Sequence, residues 1–458
     1  MVVTLWFFSL ENQKGRILLL LVASCYFYMS FIPEYILILG GTIVVDYFAG
    51  LQIERSEGSA RKSWLILSLI VNIGTLAVFK YYNFFIENIQ TGGGFFGMHL
   101  SLPFLRMVLP IGLSFHTFQA MSYTIEVYRK NQKAERNFGV YALYVMFYPQ
   151  LVAGPIERPQ NVLPQIKEFR PYNWDNVKEG LARMLWGFFK KVVIADRLAM
   201  IVDRSFLHVH DSSSLALFAG IVFYYFQIYC DFSGYSDIAL GAAKVMNIKL
   251  MENFNQPFFS KSMSDFWRRW HISLYSWFYD YVFNPLILSL RRLGNAAVVL
   301  ALLITFFLSG FWHGAAWQHI VYGVVHGLAL VYEYFTRKQR KKIFGRLPKG
   351  ISNGISILLT FLFVVFTRIF FRAENMTNAK DYFRGIFSFS GGSNYIGLNR
   401  AEIVFSVLVI CIMLFREKAL PGYFIKNDKR FYFYAGAMVV ICYFFGVFSE
   451  NQFIYFQF

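Results

Sequence analysis

From Leu293 to Tyr332 the sequence runs for 40 residues without Asp, Glu, Lys or Arg. As one straight helix this stretch would be about 60 Å long, roughly twice the hydrocarbon thickness of a bilayer. The run must therefore break, fold back or project from a membrane. Gly310 and Gly314 are the expected weak points, because glycine costs helix stability. Composition extends the argument to the whole chain. Charged residues make up only 16% and apolar residues 56%, against roughly 25% charged in an ordinary globular domain. That excludes disorder, a coiled coil, a collagen-like chain and an ordinary cytosolic enzyme. It leaves an all-α, polytopic membrane protein, because backbone groups in lipid must be hydrogen-bonded internally. The apolar runs are continuous rather than alternating, which excludes a β-barrel.

Further charge-free runs occur at 17–33, 63–79, 107–125, 138–156, 212–230, 351–367 and 431–449, with shorter ones around 35–45 and 403–415. A span needs about 20 apolar residues. The expected total is about ten to thirteen membrane segments, some of them re-entrant. Residues 181–204 carry Lys190 and Lys191 within a helical apolar pattern and read as a helix against the bundle or in the interface. Val22-Ala-Ser-Cys25 resembles a lipoprotein cleavage site, but apolar sequence continues beyond it, so a first transmembrane helix fits better. Cys25, Cys230, Cys411 and Cys442 are isolated and have neither ligand nor redox spacing. No linker or internal repeat divides the chain, so 1–458 reads as a single integral-membrane domain.

The net charge of +17 would suggest nucleic acid in a soluble protein. Here the basic residues cluster between apolar runs, which marks cytoplasmic loops and argues against a nucleic-acid partner. Arg55, Arg61 and Lys62 form one cluster and Arg129, Lys130, Lys133 and Arg136 a second; residues 337–349 hold seven basic residues and no acid, and 416–430 form a fourth. Two apolar runs separate the first pair and two the second, so each pair shares a side.

Ionisable residues at membrane depth are costly and are functional candidates. Asp231 and Asp237 flank Phe-Ser-Gly-Tyr-Ser; they could form a relay or ion site, or cap a helix and anchor a bend. Next comes Ser264-Asp265-Phe-Trp-Arg268-Arg269-Trp270-His271. There Ser264 is expected to cap a helix, and Asp265 can pair with Arg268 and Arg269 at i+3 and i+4. The third concentration is His313, His319 and His326 among Gly310, Gly314, Gly323 and Gly327. Imidazole suits proton transfer near neutral pH, and glycine admits close approach. The spacing fits no zinc motif, and no metal site is expected. By residue chemistry alone, His313 is the leading candidate for a buried base.

Four blocks in order carry a resemblance: Leu109-Pro-Ile-Gly-Leu-Ser-Phe-His116-Thr-Phe-Gln119, Pro149-Gln-Leu-Val-Ala-Gly154-Pro155-Ile, the stretch from Asp231 to Pro285, and Gly310-Phe-Trp-His313-Gly. The third contains Asn253-Phe-Asn255-Gln-Pro257-Phe and Phe266-Trp-Arg-Arg-Trp-His271-Ile-Ser-Leu. Together they resemble the membrane-bound O-acyltransferases, in particular the branch of bacterial alginate O-acetyltransferases and their peptidoglycan-acetylating relatives. The resemblance implies helices around a central tunnel with cytoplasmic re-entrant pieces. It implies His313 as the catalytic histidine and His271 as a second residue facing the tunnel. Trp312, His326, His116, Asn255, Arg268, Arg269 and Asp231 are candidates for substrate binding or tunnel lining.

The implied reaction moves an acyl group, expected to be acetyl, from a cytoplasmic thioester such as acyl-CoA to a hydroxyl. The acceptor would be an extracytoplasmic polysaccharide or partner acyltransferase, and the location the cytoplasmic membrane of the cell, in contact with its lipid. The thioester is a substrate, and no bound cofactor is expected. A proton-coupled transporter built on Asp231, Asp237 and the histidines is the competing reading, although no inverted repeat supports it.

Overall fold

A computed structural model describes residues 2–97, 100–106, 108–389, 391–394, 396–420, 422–448 and 453–454. Among them every regular element is helical, and β pairing is confined to two isolated bridges, Ser212 with Ser393 and Phe254 with Trp270. Five helices among the described residues are long and apolar enough to cross a membrane: Tyr35–Arg55, Gly58–Phe95, Ser214–Val245, Asn295–His313 and Lys349–Arg372. Some other charge-free runs form shorter helices. The 107–125 run becomes helical only at Leu113, after Pro110 and a left-handed Gly112 at φ 71°. The 138–156 run yields only Phe138–Met146, then turns through Pro149 and Gly154-Pro155, where proline disfavours helical backbone at the residue before it. Helix Gln13–Met29 passes through Cys25 without interruption.

The chain packs as two compact units, Met1–Met184 with Ser236–Met251 and Phe424–Phe431, and Leu185–Tyr235 with Glu252–Tyr423 and Tyr432–Phe458. In the first, Asp46 is buried and its carboxylate is hydrogen-bonded. It accepts from Ser68 Oγ at 2.6 Å and from Asn72 Nδ2 at 2.9 and 2.8 Å, as a buried carboxylate requires. Arg61 donates to the Tyr128 carbonyl at 2.5 Å, and Glu54 pairs with Arg136. These contacts bring the first two basic clusters to one side, as their spacing predicts. A Cβ on Gly112 would lie 2.7 Å from the Leu151 carbonyl oxygen. The sequence blocks around 109–119 and 149–156 thus meet at a position only glycine fits.

In the second unit the 40-residue uncharged run divides into helices Asn295–His313 and Trp317–Phe344. The break falls at 314–316, directly after His313. The two helices lie against each other at facing glycines. A Cβ on Gly310 would sit 2.3 Å from the His319 carbonyl oxygen, and one on Gly323 would sit 2.2 Å from that of Phe306. The second helix continues through the basic residues to Phe344; its 28 residues extend about 42 Å, longer than a bilayer core. The run therefore breaks, and its second helix continues beyond it.

Residues 181–204 are not one regular helix. Helix Trp174–Phe188 passes into a π-helical turn, Phe189–Ala195, and then into helix Asp196–Leu207. The turn buries both lysines. Lys190 donates to Ser233 Oγ at 2.8 Å, and Lys191 pairs with Asp231 at 2.8 Å and Asp196 at 2.9 Å. Residues 231–237 do not form a bend either: they lie inside helix Ser214–Val245. Gly234 is there because a Cβ would come within 2.9 Å of the Gly187 carbonyl oxygen, so tertiary packing overrides the local turn preference of Ser and Gly.

Candidate active site

The site is built in the second unit from the Asn253–Ser273 segment and the ends of the broken run. Trp270 and Phe254 form an antiparallel bridge, and the Ile272 N–H donates to the Asn253 carbonyl at 2.9 Å. His271 is left at φ 46°, in the left-handed region, before helix Ile272–Phe278. Such a conformation is strained for a non-glycine residue and persists where surrounding structure enforces it.

Asn253 fixes the imidazole. Its Oδ1 accepts from the Ser273 backbone N–H at 3.3 Å and from Ser273 Oγ at 2.9 Å, and lies 3.1 Å from His271 Nδ1. A backbone N–H can only donate, so this Asn253 atom is the oxygen and Nδ1 of His271 carries its proton. The lone pair then belongs to Nε2. Complete burial lowers the proton affinity of this imidazole, which keeps it neutral.

His313 is the last residue of its helix and is buried. The Trp312 ring lies 5.0 Å from the His313 ring and 6.3 Å from that of His271. One indole is therefore within ring-contact distance of both histidines that the sequence singles out. His326 is also buried, one ring away from Tyr322 at 4.4 Å, with Nε2 3.0 Å from Thr367 Oγ1.

Two cavities border this cluster and share no lining residue. The larger, about 800 Å³, is walled by Trp267, Leu274, Phe278, Thr305, Phe306 and Ser309, and its charged lining residues are Arg268, Arg337, Arg340 and Glu333. Ser309 lies one helical turn before His313, and Leu274 one turn after His271. The smaller, about 290 Å³, is lined by Tyr224, Gln227, Asp231, Gln318, His319 and Phe371, among others. The Phe371 ring, which lines this polar space, stands 5.1 Å from His313 and 5.5 Å from His319.

The remaining sequence candidates divide by surroundings. Arg269 pairs with Asp265 at 2.9 Å and Arg268 with the same carboxylate at 3.9 Å; only Arg268 lines the large cavity. Asn255 serves the backbone, its N–H donating to the Arg269 carbonyl at 2.9 Å. Ser262, not Ser264, caps helix Met263–Trp267, accepting from Asp265 N–H at 3.1 Å. Ser264 is held away by Glu333, which accepts from its hydroxyl at 2.8 Å and its N–H at 3.0 Å. Asp231 borders the small cavity and is neutralised by Lys191. Asp237 pairs with Arg183 at 2.8 Å. His116 belongs to the first unit, where it is buried in helix Leu113–Tyr128. Tyr322, Arg368 and Phe371 beside the histidines were not among the sequence candidates. The available signal was Arg368 itself, a charge that ends the apolar run 351–367 and reads as a flank.

The described residues thus combine five helices long and apolar enough to cross a membrane with a cluster of buried histidines. The chain matches the model of the MBOAT, membrane-bound O-acyltransferase family over residues 129–373 and belongs to that family. It is similar to the probable alginate O-acetylase of Pseudomonas aeruginosa, 36% identical with 91% of this chain and 79% of that protein covered. It is also similar to the peptidoglycan O-acetyltransferase of Helicobacter pylori, 36% identical over 84% of this chain and 76% of the relative. The teichoic acid D-alanyltransferase of Streptococcus thermophilus is 30% identical over 57% of this chain and 68% of its own length.

Proposed function

We propose that this acyltransferase moves an acetyl group from a cytoplasmic thioester donor toward a hydroxyl on an extracytoplasmic polysaccharide, directly or through a partner acyltransferase. The observation that carries the reading is the packing of buried His313 and His271 against one indole, Trp312, within one helical turn of residues that line the large cavity. The relatives named for alginate and peptidoglycan acetylation support the acyl group and the acceptor class. On this reading about ten to thirteen segments surround a central tunnel in the cytoplasmic membrane.

The donor side follows from charge. Arg337 and Arg340, which line the large cavity, belong to the basic cluster 337–349, which the positive-inside rule assigns to the cytoplasm. Arginine suits the phosphates of a coenzyme A or phosphopantetheine donor, and the apolar walls suit its acyl arm. No bound cofactor is required: the thioester is consumed as substrate. The acceptor hydroxyl would approach from the small polar cavity.

Neutral His313 takes the proton from that hydroxyl as its oxygen attacks the thioester carbon. The tetrahedral intermediate collapses, the carbon–sulfur bond breaks, and the thiolate leaves with the proton from the imidazolium. His271, locked by Asn253, orients the acyl group. The transporter reading loses its main support, since Asp231 and Asp237 are both held in ion pairs. The test is transfer of labelled acetyl from acetyl-CoA by the purified full chain, with and without an envelope fraction. Label reaching envelope polymer or a partner protein supports the reading; no transfer under either condition refutes it.

A further inference from the structure

We propose that Tyr322 is a further catalytic residue, a hydrogen-bond donor to the acyl oxygen, and that Arg368 is the positioning residue that polarises it. The proposal rests on the acyl-transfer reading above and adds the group that receives the negative charge.

Arg368, on helix Lys349–Arg372, is 1% exposed. Guanidinium stays protonated in proteins, and a buried charge is costly unless paired. No carboxylate pairs with it among the described residues, whereas Arg372, one turn further on, pairs with Asp203 at 2.8 Å. Arg368 is enclosed by rings instead. Its Cζ lies 4.3 Å from the Trp270 centroid, 5.5 Å from that of Phe371 and 5.6 Å from that of Tyr322. Aromatic faces attract a cation but accept few hydrogen bonds. Its one hydrogen bond runs from Nη1 to the Tyr322 hydroxyl at 3.0 Å, while Nε and Nη2 have no acceptor among the described residues.

Tyr322 is thus set as a donor. Its oxygen accepts from a cation, and its own proton has no acceptor among the described residues, although the side chain is only 2% exposed. A hydroxyl that accepts from a charged donor becomes a stronger donor itself. The Tyr322 ring lies 6.3 Å from that of His313. Phe371 touches the same imidazole and the guanidinium, and Trp270, against which the guanidinium stacks, directly precedes His271.

The chemistry needs such a group. When the acceptor oxygen bonds to the thioester carbon, the carbonyl π pair moves onto oxygen and the hydroxyl proton moves to His313. The Tyr322 O–H then donates to that oxyanion, with Arg368 supporting the accumulated charge. When the carbonyl re-forms, the thiolate departs and takes the proton from His313. Tyrosine and arginine end the cycle unchanged. Preorganised donors of this kind act on the transition state, so they govern kcat rather than KM.

The experiment compares wild type, His313→Ala, Tyr322→Phe, Arg368→Gln and Arg368→Lys as full chains in proteoliposomes, using labelled acetyl-CoA and an envelope fraction. Tyr322→Phe should lower kcat by about 100-fold, the scale for loss of one oxyanion donor, with KM for acetyl-CoA within about threefold. Arg368→Gln should lose kcat comparably, and Arg368→Lys, which keeps the charge, should recover at least about tenfold of that loss. Near-wild-type kcat in Tyr322→Phe, or equal losses in the Gln and Lys variants of Arg368, overturns the proposal. If Arg368→Gln fails to fold, Tyr322→Phe decides alone, because it keeps the ring and removes only the hydroxyl. An inert wild type refutes the acyl-transfer reading itself, and this proposal with it; an active wild type with full activity in Tyr322→Phe refutes only the donor role.

Discussion

Gly310→Ala probes the helix crossing that places His313. The new Cβ would stand 2.3 Å from the His319 carbonyl oxygen, 2.9 Å from Gly323 Cα and 3.0 Å from Gly323 N. All three are backbone atoms, so no flexible side chain can yield. Reaching ordinary contact requires the helices to part by about 1 Å. Overpacking of this kind costs about 1–3 kcal/mol, here at the upper end, against about 1 kcal/mol gained in helix propensity. A net loss of about 2 kcal/mol remains. Catalysis should suffer more. His313 lies three residues on, and a displacement of about 1 Å at a reacting group costs about 100-fold in rate. The control is Gly354→Ala, in helix Lys349–Arg372, where nothing lies within 4 Å of the added methyl. Thermal unfolding in detergent and acetyl transfer should be measured on both. The expected result is a melting point lowered by several degrees and a rate reduced about 100-fold for Gly310→Ala, with Gly354→Ala unchanged or slightly stabilised. Wild-type stability and rate in Gly310→Ala would refute the reasoning.

Three further outcomes are expected. His271→Ala should reduce acetyl transfer strongly and His326→Ala less, read from initial rates at saturating acetyl-CoA; the reverse order would displace His271 from the site. A cysteine introduced at Ser352 or Gly345 should resist membrane-impermeant maleimide in intact cells, because the positive-inside rule assigns the 337–349 cluster to the cytoplasm; ready labelling would reverse the donor side. Burial, with the nearby Asp231 charge, pushes the Asp196 carboxyl up to about 6 from 3.8. A carboxyl that binds its proton more tightly when folded contributes most to stability while protonated, and that contribution falls as pH rises from about 4 through 6. Asp196→Asn should flatten this fall in melting point, and an unchanged pH profile would contradict it.

The long uncharged run disclosed its break in advance because its length exceeds what a bilayer holds, a purely geometric limit. The shared side of the first two basic clusters was legible for a similar reason, since parity of spans leaves little freedom. Trp312-His313 and Trp270-His271 were legible as motifs, but their meeting around one indole depends on the left-handed backbone at His271 and on the facing glycines. Other features were set by tertiary contacts with no local signature. Asp231-Phe-Ser-Gly-Tyr-Ser-Asp237 carries turn residues yet is helical, because Lys191 and Arg183 neutralise its carboxylates and Gly234 admits the Gly187 carbonyl. Ser262 caps the helix in place of Ser264, whose N–H and hydroxyl are both taken by Glu333, 69 residues away. Arg368 looked like the flank of a span, and only the fold puts Trp270 and Tyr322 around it.

The central claim is that His313 is the base of an acyl transfer within a site shared with His271. Single-turnover transfer of labelled acetyl from acetyl-CoA by His313→Ala, compared with wild type at matched folding and membrane insertion, tests it most directly. The account predicts that transfer is abolished while the melting point and expression stay near those of wild type. Transfer at the wild-type rate by a folded His313→Ala chain would contradict it.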